Sequence, residues 1–457
     1  MRTLVLISLV LIAGPLCEGS DWPQFRGPRA RGLSTDESAP ATPVRWDLET
    51  GENVLWNTEV PGLAHASPIV FEDRVYIATA VRSDAPSELS SLYGSDGYGA
   101  GESVDDEGAH DYRLLCLDAL TGELIWTRTA HSGVPLVKRH PKATHANATP
   151  ACDAEHVVVS FGSEGLFCFD HDGEPLWNVE LGVLNVGAPG YPDKAGFQWG
   201  HASSPVLHGD RVLVQCDHEG ESFLAAYSIE DGQELWRTAR EEDSTWGSPA
   251  IAEQTASGRP QVIVNGYKHV GGYDLETGEA IWWLSGGGDV PVPTPVVVGG
   301  LVYLTSAHGR SAPMRAIRTI AEGEVDTLDP DDPFVAFNEP RRGNYMQTPL
   351  VRGDYLYSCS DGGVLSCFEA ETGDPIYRER VGGGTTGFSG SPVSSGDALY
   401  LTGESGTVYV TSTGEDFELL AENELGETCL STPAISAGRL FFRTRNHVIC
   451  IAQTGSF

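Results

Sequence analysis

Lysine is almost absent from this chain. There are four, Lys138, Lys142, Lys194 and Lys268, and the 29 basic residues face 64 acidic ones, for a net charge of −35. Such a surface repels nucleic-acid phosphates and anionic membranes, so neither is an expected partner. After the first twenty residues no apolar run approaches the ~20 residues of a membrane-spanning helix, and no transmembrane segment is expected. Nine cysteines occur, but no two are adjacent and no Cys-x-x-Cys appears, which removes zinc-ribbon and dithiol redox motifs. Gly-x-Ser-x-Gly, a phosphate-binding Walker loop and His-Glu-x-x-His are missing as well. The acidity itself reads as a solvated surface, of the kind that suits a salty habitat.

What is present begins with an export signal over residues 1–20. Arg2 supplies the positive start, Leu4 to Ala13 the short apolar run, and Gly19 and Ser20 the small residues suited to cleavage. Cys17 follows Gly-Pro-Leu, a poor context for lipidation. The expected mature protein is residues 21–457, in the periplasm or outside the cell.

One unit recurs down the chain. Asp118-Ala-Leu-Thr-Gly-Glu-Leu-Ile-Trp126 is its clearest copy, and Asp274 to Trp282 and Glu369 to Tyr377 keep the spacing. Degenerate copies end at Trp177 and Trp236. In each, the Asp can bond the backbone of its own turn and the Gly supplies a left-handed position. The aromatic residue that follows (Trp126, Trp177, Trp236, Trp282 or Tyr377) is large enough to fill the gap against a neighbouring sheet. Cys116, Cys168, Cys367 and Cys450 occupy matching points in four apolar runs. Matching points on stacked sheets lie about 10 Å apart, beyond disulfide reach, so these read as small buried thiols.

A Ser-Pro or Thr-Pro dipeptide opens an apolar run at Ser67, Thr149, Ser204, Ser248, Thr294, Thr348, Ser391 and Thr432. Proline suits the first residue of a strand, where its missing N–H breaks no ladder. Four strands per opening, at a pitch of about 40–45 residues, make one propeller blade. Eight openings therefore predict an all-β, eight-bladed propeller with four-stranded antiparallel blades. The last blade runs out of chain after three strands. Asp47 to Trp56 repeats the turn-plus-Trp unit with one residue inserted, so the strand around residues 54–60 is expected to complete it and close the ring.

The Asp-x-x-Thr-Gly-x-x-x-Trp unit resembles the tryptophan-docking repeat of pyrroloquinoline-quinone-like propellers, a group that includes quinoprotein alcohol dehydrogenases and BamB-like exported proteins. The opening Asp21-Trp-Pro-Gln-Phe-Arg-Gly-Pro28 resembles the start of many exported bacterial members. The likeness spans essentially residues 21–457 and implies the fold more strongly than any activity. Many quinoprotein dehydrogenases carry an adjacent-cysteine ring and a Glu/Asn/Asp calcium set. The first is lacking here and the second is not visible, so the quinone is not expected and the cofactor stays unknown.

Extra length falls in residues 81–112, 129–148, 182–203 and 330–347. All four are expected on the face that carries the inter-blade loops, where function collects. The segment 83–112, rich in Gly, Ser and Asp, reads as a flap. Lys138, Arg139, Lys142, Arg341 and Arg342 form the main basic runs and would attract an anion, or else pair with Asp105 to Glu107 and order the loops. His65, His145 and His201 each precede an opening dipeptide. They are candidates for a metal site at the channel mouth, for acid–base or ligand contact, or for plain loop bracing. Trp199, Trp246, Tyr345 and Phe388, with Asn147, Arg342, Asn344 and Gln347, would line a mouth able to stack a flat or sugar-like ring, or would simply pack the loops. Two readings of function follow: a binding or scaffold module with a protein partner or a small sugar-like ligand, or a quinone- or metal-dependent enzyme at the channel mouth.

Overall fold

The computed structural model describes residues 21–34, 38–86, 103–104, 108–187, 197–253, 255, 258–288, 290–308 and 311–453. The export signal with Cys17, the acidic run 105–107, most of the predicted flap and Lys194 lie outside the described residues. Among those described, no helix is long and apolar enough to cross a membrane.

Eight antiparallel sheets form the predicted ring. Blade 1 runs through Ile69–Phe71, Arg74–Arg82, His110–Asp118 and Leu124–Gly133, and blades 2 to 7 repeat the pattern as far as Leu419–Glu424. Blade 8 is built from Ala434–Ser436, Arg439–Arg443 and His447–Ile451, and its fourth strand is Val54–Glu59 from the other end of the chain. The predicted closure is therefore observed, with Trp56 opposite Cys450.

Ring register explains the cysteines. Cys116 faces Trp126, Cys168 faces Trp177, and Cys367 faces Tyr377 across a strand pair. In other blades the small partner is Ala226, Gly272 or Ala316, opposite Trp236, Trp282 and Phe337. Blade 7 inverts the pair: Ala421 stands at the aromatic position and Val410 faces it. Each pair keeps the local volume filled without overlap, which is the packing condition for a dense core. The eight described cysteines are buried free thiols.

The indoles also join blades. Trp56, Trp126, Trp177 and Trp236 donate Nε1–H to a carbonyl in the next blade's turn, at 3.1, 3.0, 2.7 and 3.0 Å. Their rings lie on that turn's glycine so closely that a Cβ at Gly122 would stand 2.6 Å from Trp56. Trp282 departs from this use: its Nε1–H bonds Gln261 Oε1 of its own blade at 3.0 Å. The cause lies in blade 5, which has no Asp/Gly turn of the repeated kind after its third strand, Met314–Arg318. A longer connection lays Gly323–Glu324 alongside Trp282 and Trp283 as a parallel fifth strand of blade 4 before Val335–Glu339 completes blade 5. This corrects the expectation for residues 330–347. Only 340–347 join blades; Val335–Glu339 is a strand, and the added connection before it lies on the opposite face.

Candidate functional site in the central channel

Each opening Ser or Thr sits where its blade's innermost strand begins, and the eight hydroxyls form one closed collar. Ser67 N–H donates to Thr149, Thr149 to Ser204, Ser204 to Ser248, and Ser248 to Thr294, over 2.9–3.1 Å. Thr294 donates to Thr348, Thr348 to Ser391, Ser391 to Thr432, and Thr432 back to Ser67, again over 2.9–3.1 Å. Proline next in sequence has no N–H of its own, so the hydroxyl residue supplies the only donor at this level. The eight collar residues border a central cavity of about 380 Å³.

The cavity floor is the segment 21–34. Trp22 exchanges backbone hydrogen bonds with Val70 of blade 1 at 2.7 and 2.9 Å, and Pro23 O accepts from Cys152 N–H of blade 2. Phe25 reaches into the cavity. Arg26, completely buried, donates to the carbonyls of Ala30, Arg31, Thr348, Pro349 and Pro392 over 2.8–3.2 Å. Arg29 pairs with Glu253 beside blade 4, Arg31 bonds Val297 O of blade 5, and Ser34 joins Ser394 of blade 7. Further on, Trp46 packs on Phe442 of blade 8. Residues 23–30 also share a small cavity with Val206 to His208 of blade 3. Gly27 is required at this floor: its φ is +70°, and a Cβ would stand 2.5 Å from the Trp22 ring.

Inter-blade loops roof the cavity. In the loop between blades 1 and 2, Lys138 N–H bonds Gln198 and His140 N–H bonds Trp199 O. Lys142 Nζ reaches blade 7 and pairs with buried Glu404, which also accepts from Ser389 Oγ at 2.6 Å. Trp199 and Trp246 lie 5.7 Å apart between ring centres, and His308 and Tyr345 lie 5.2 Å apart. The imidazoles of His65 and His140 are pushed down to about 4 by burial first, then by neighbouring cations, so both are neutral near pH 7.

His65, Asn147, Trp199, Trp246, Tyr345 and Lys142 border the cavity, whereas His145, His201, Arg342, Asn344, Gln347 and Phe388 do not. The three histidines are not brought to a common point. His65 Nε2 contacts Lys142 O at 2.9 Å, His145 meets His110 edge-on at 5.1 Å, and His201 Nε2 contacts Gln215 O at 3.3 Å. Their spacing is the reason: they stand two, four and three residues ahead of their collar hydroxyls, so equivalent blades do not place them equivalently. Among the described residues no group of three or more His, Cys, Asp or Glu could hold a metal ion. Asn344 and Gln347 are buried braces, on Thr305 and Gly390 O. Arg341, Arg342 and Lys138 are exposed, whereas Arg139 is buried and bonds Ala143 O. Sequence reading missed Phe25, His140 and the collar. The signal for the collar was on view, since the residue before every opening proline bears a hydroxyl.

A family model described as outer membrane protein assembly factor BamB matches residues 110–374. The outer membrane protein assembly factor BamB of Shewanella oneidensis is 25% identical over 226 residues, 47% of this chain and 52% of that protein. The chain thus spans about half the length of the curated relative it matches. Among solved structures, BamB from Moraxella catarrhalis superposes with a TM-score of 0.53 at 14% identity, over 82% of this chain and 98% of that one. Quinohemoprotein alcohol dehydrogenase from Comamonas testosteroni superposes with a TM-score of 0.61 at 11% identity, over 96% and 81%. At these identities the structural likeness speaks for the fold alone.

Proposed function

The chain belongs to the family described as outer membrane protein assembly factor BamB, a group of pyrroloquinoline-quinone-like β-propellers, and from that premise we propose that it is an exported binding and scaffold module. Its working surface is the loop-rich face, and the channel cavity beneath those loops is its ligand site. The observation that carries this reading is the construction of the cavity. A dedicated segment floors it, loops from blades 1, 2 and 3 roof it, and its wall offers aromatic rings beside hydroxyls and neutral imidazoles. That mixture of apolar faces and a few fixed polar groups suits ligand binding. His65, Asn147, Trp199, Trp246 and Tyr345 are its contact residues. Arg341, Arg342 and Lys138, exposed on the same face, would meet a protein partner. Export to the periplasm or cell exterior rests on residues 1–20.

The quinone chemistry of the dehydrogenase neighbour does not fit these residues. Among the described residues neither a carboxylate nor a cysteine borders the cavity, and Glu404, held by the cavity residues Lys142 and Ser389, is not itself on its wall. A photo-crosslinking amino acid placed in living cells at Arg342 or Lys138, with Leu124 on the outer rim as comparison, tests the scaffold reading. Partner adducts are expected from the loop face. Adducts from Leu124 alone would overturn it.

A further inference from the structure

The collar carries a chemical demand that the fold itself does not meet. Each of its eight residues is at most 3% exposed, and each hydroxyl oxygen accepts one backbone N–H. A hydroxyl also has a proton to donate. Among the described residues none of the eight protons has an acceptor, and all eight groups border the same cavity. Accepting an N–H polarises each O–H and makes it the better donor. Buried donors left without acceptors are costly, so eight facing one space point to something that fills it.

Two buried guanidiniums add to this demand. Arg26 lies under the collar, on the carbonyls of Thr348 and Pro349, and among the described residues forms no ion pair with a carboxylate. Burial lowers its pKa to about 9, which leaves it charged near neutrality. Arg443 is 1% exposed, its carbonyl accepts from Ser431 beside the collar residue Thr432, and its charge acts on His65. Its Nε and Nη2 have no partner among the described residues, and Glu427, the carboxylate nearest in influence, is engaged by His447 and Asn446. Lys142 is already matched by Glu404. In a chain of net charge −35, the hydroxyl donors of the channel thus have beside them two buried guanidiniums whose charge no carboxylate among the described residues pairs.

We propose that the collar is an anion seat, which takes a carboxylate or sulfate group of a small acidic molecule while the rest of that molecule lies against Trp199 and Trp246. This deepens the reading of the channel as the ligand site and rests on it. Up to about four of the O–H groups donate to the two oxygens of a carboxylate, and more to the four of a sulfate, while the guanidiniums balance their charge from behind.

Titration of the purified protein with glucuronate, glucose and inorganic sulfate, followed by tryptophan fluorescence and calorimetry, tests the inference. Glucuronate is expected to bind at least ten-fold more tightly than glucose, which presents the same ring without the acid, and sulfate is expected to displace it. Sulfate binding without glucuronate binding would support the seat and overturn the stacking on Trp199 and Trp246. Equal affinity for glucose and glucuronate would overturn the anion seat and leave a neutral pocket. Binding of none of the three would overturn the inference while the crosslinking result at Arg342 and Lys138 still stands or falls by itself. The double variant Ser204→Ala/Ser248→Ala should lose at least ten-fold in glucuronate affinity. Because it also strips acceptors from two backbone N–H groups, Ser204→Thr/Ser248→Thr is its companion, keeps both hydroxyls and should retain binding.

Discussion

Replacing one glycine tests how the blades are held together. Gly122, in the turn of blade 1, has φ +72°, and Gly51, at the same point of the blade 8 unit, has φ +79°. Alanine at either position is forced into the left-handed region, at about 1–2 kcal/mol. The two sites differ in what lies above them. A Cβ at Gly122 would meet the Trp56 ring at 2.6 Å, whereas one at Gly51 would have nothing within 4 Å. Blade 7, which precedes blade 8, carries Ala421 where other blades carry an aromatic residue, so no ring covers Gly51. Overpacking a tight contact adds about 1–3 kcal/mol. Gly122→Ala should therefore destabilise by ~2–5 kcal/mol and Gly51→Ala by ~1–2 kcal/mol. Any gain from a stiffer unfolded chain is common to both and cancels in the comparison. Equilibrium urea unfolding, followed in parallel by far-UV circular dichroism and tryptophan fluorescence, measures the difference. Equal losses, within about 0.5 kcal/mol, would refute the idea that aromatic rings seated on turn glycines lock neighbouring blades.

Other expectations follow from the same geometry. Arg26→Met removes the donor for five carbonyls at the floor and should destabilise by about 3 kcal/mol or more, read in the same urea assay. His65, His140 and His201 are each held near 4, well below their ordinary 6.5, chiefly by burial. The unfolded chain therefore binds protons that the folded protein refuses, so stability is full above pH 6.5 and falls as pH drops from 6.5 towards 4; substituting all three with Asn should flatten that slope in pH-dependent unfolding. Cys450→Leu puts a bulky side chain opposite Trp56 and should cost about 1–3 kcal/mol, where Cys450→Ala costs less. With quinone and calcium added, dye-linked alcohol oxidation should stay at background, and turnover would restore the dehydrogenase reading.

The ring was readable because its instructions are local. Each Ser/Thr-Pro marks the start of a blade through proline's missing N–H, and the Asp/Gly turn with its Trp marks the end, so the Val54–Glu59 strand could be assigned to blade 8 across the whole chain. Blade 5 resisted because its third-to-fourth connection drops that turn chemistry and Phe337 replaces the Trp, which hid the strand Val335–Glu339 and misplaced the loop before Thr348. The collar's hydroxyls were on view before each opening proline, but the bonds that join them were not. Those bonds join residues 41 to 82 positions apart, and once 365, so no local pattern expresses them. The histidines misled because similar words, His-Ala before a proline, conceal unequal spacings. The motif Asp21 to Pro28 was visible as a motif, but its task needs a finished ring above it.

That task bears on a hazard shared by assemblies of near-identical units, which can gain or drop one and still satisfy every neighbour. Here the stretch from Trp22 to Glu59 bonds to or packs on seven of the eight blades and shares a small cavity with blade 3. A seven- or nine-membered arrangement would strand some of these contacts. The N-terminal stretch therefore acts as a gauge that the completed circle must fit, and it enforces the number of petals independently of the seams between them.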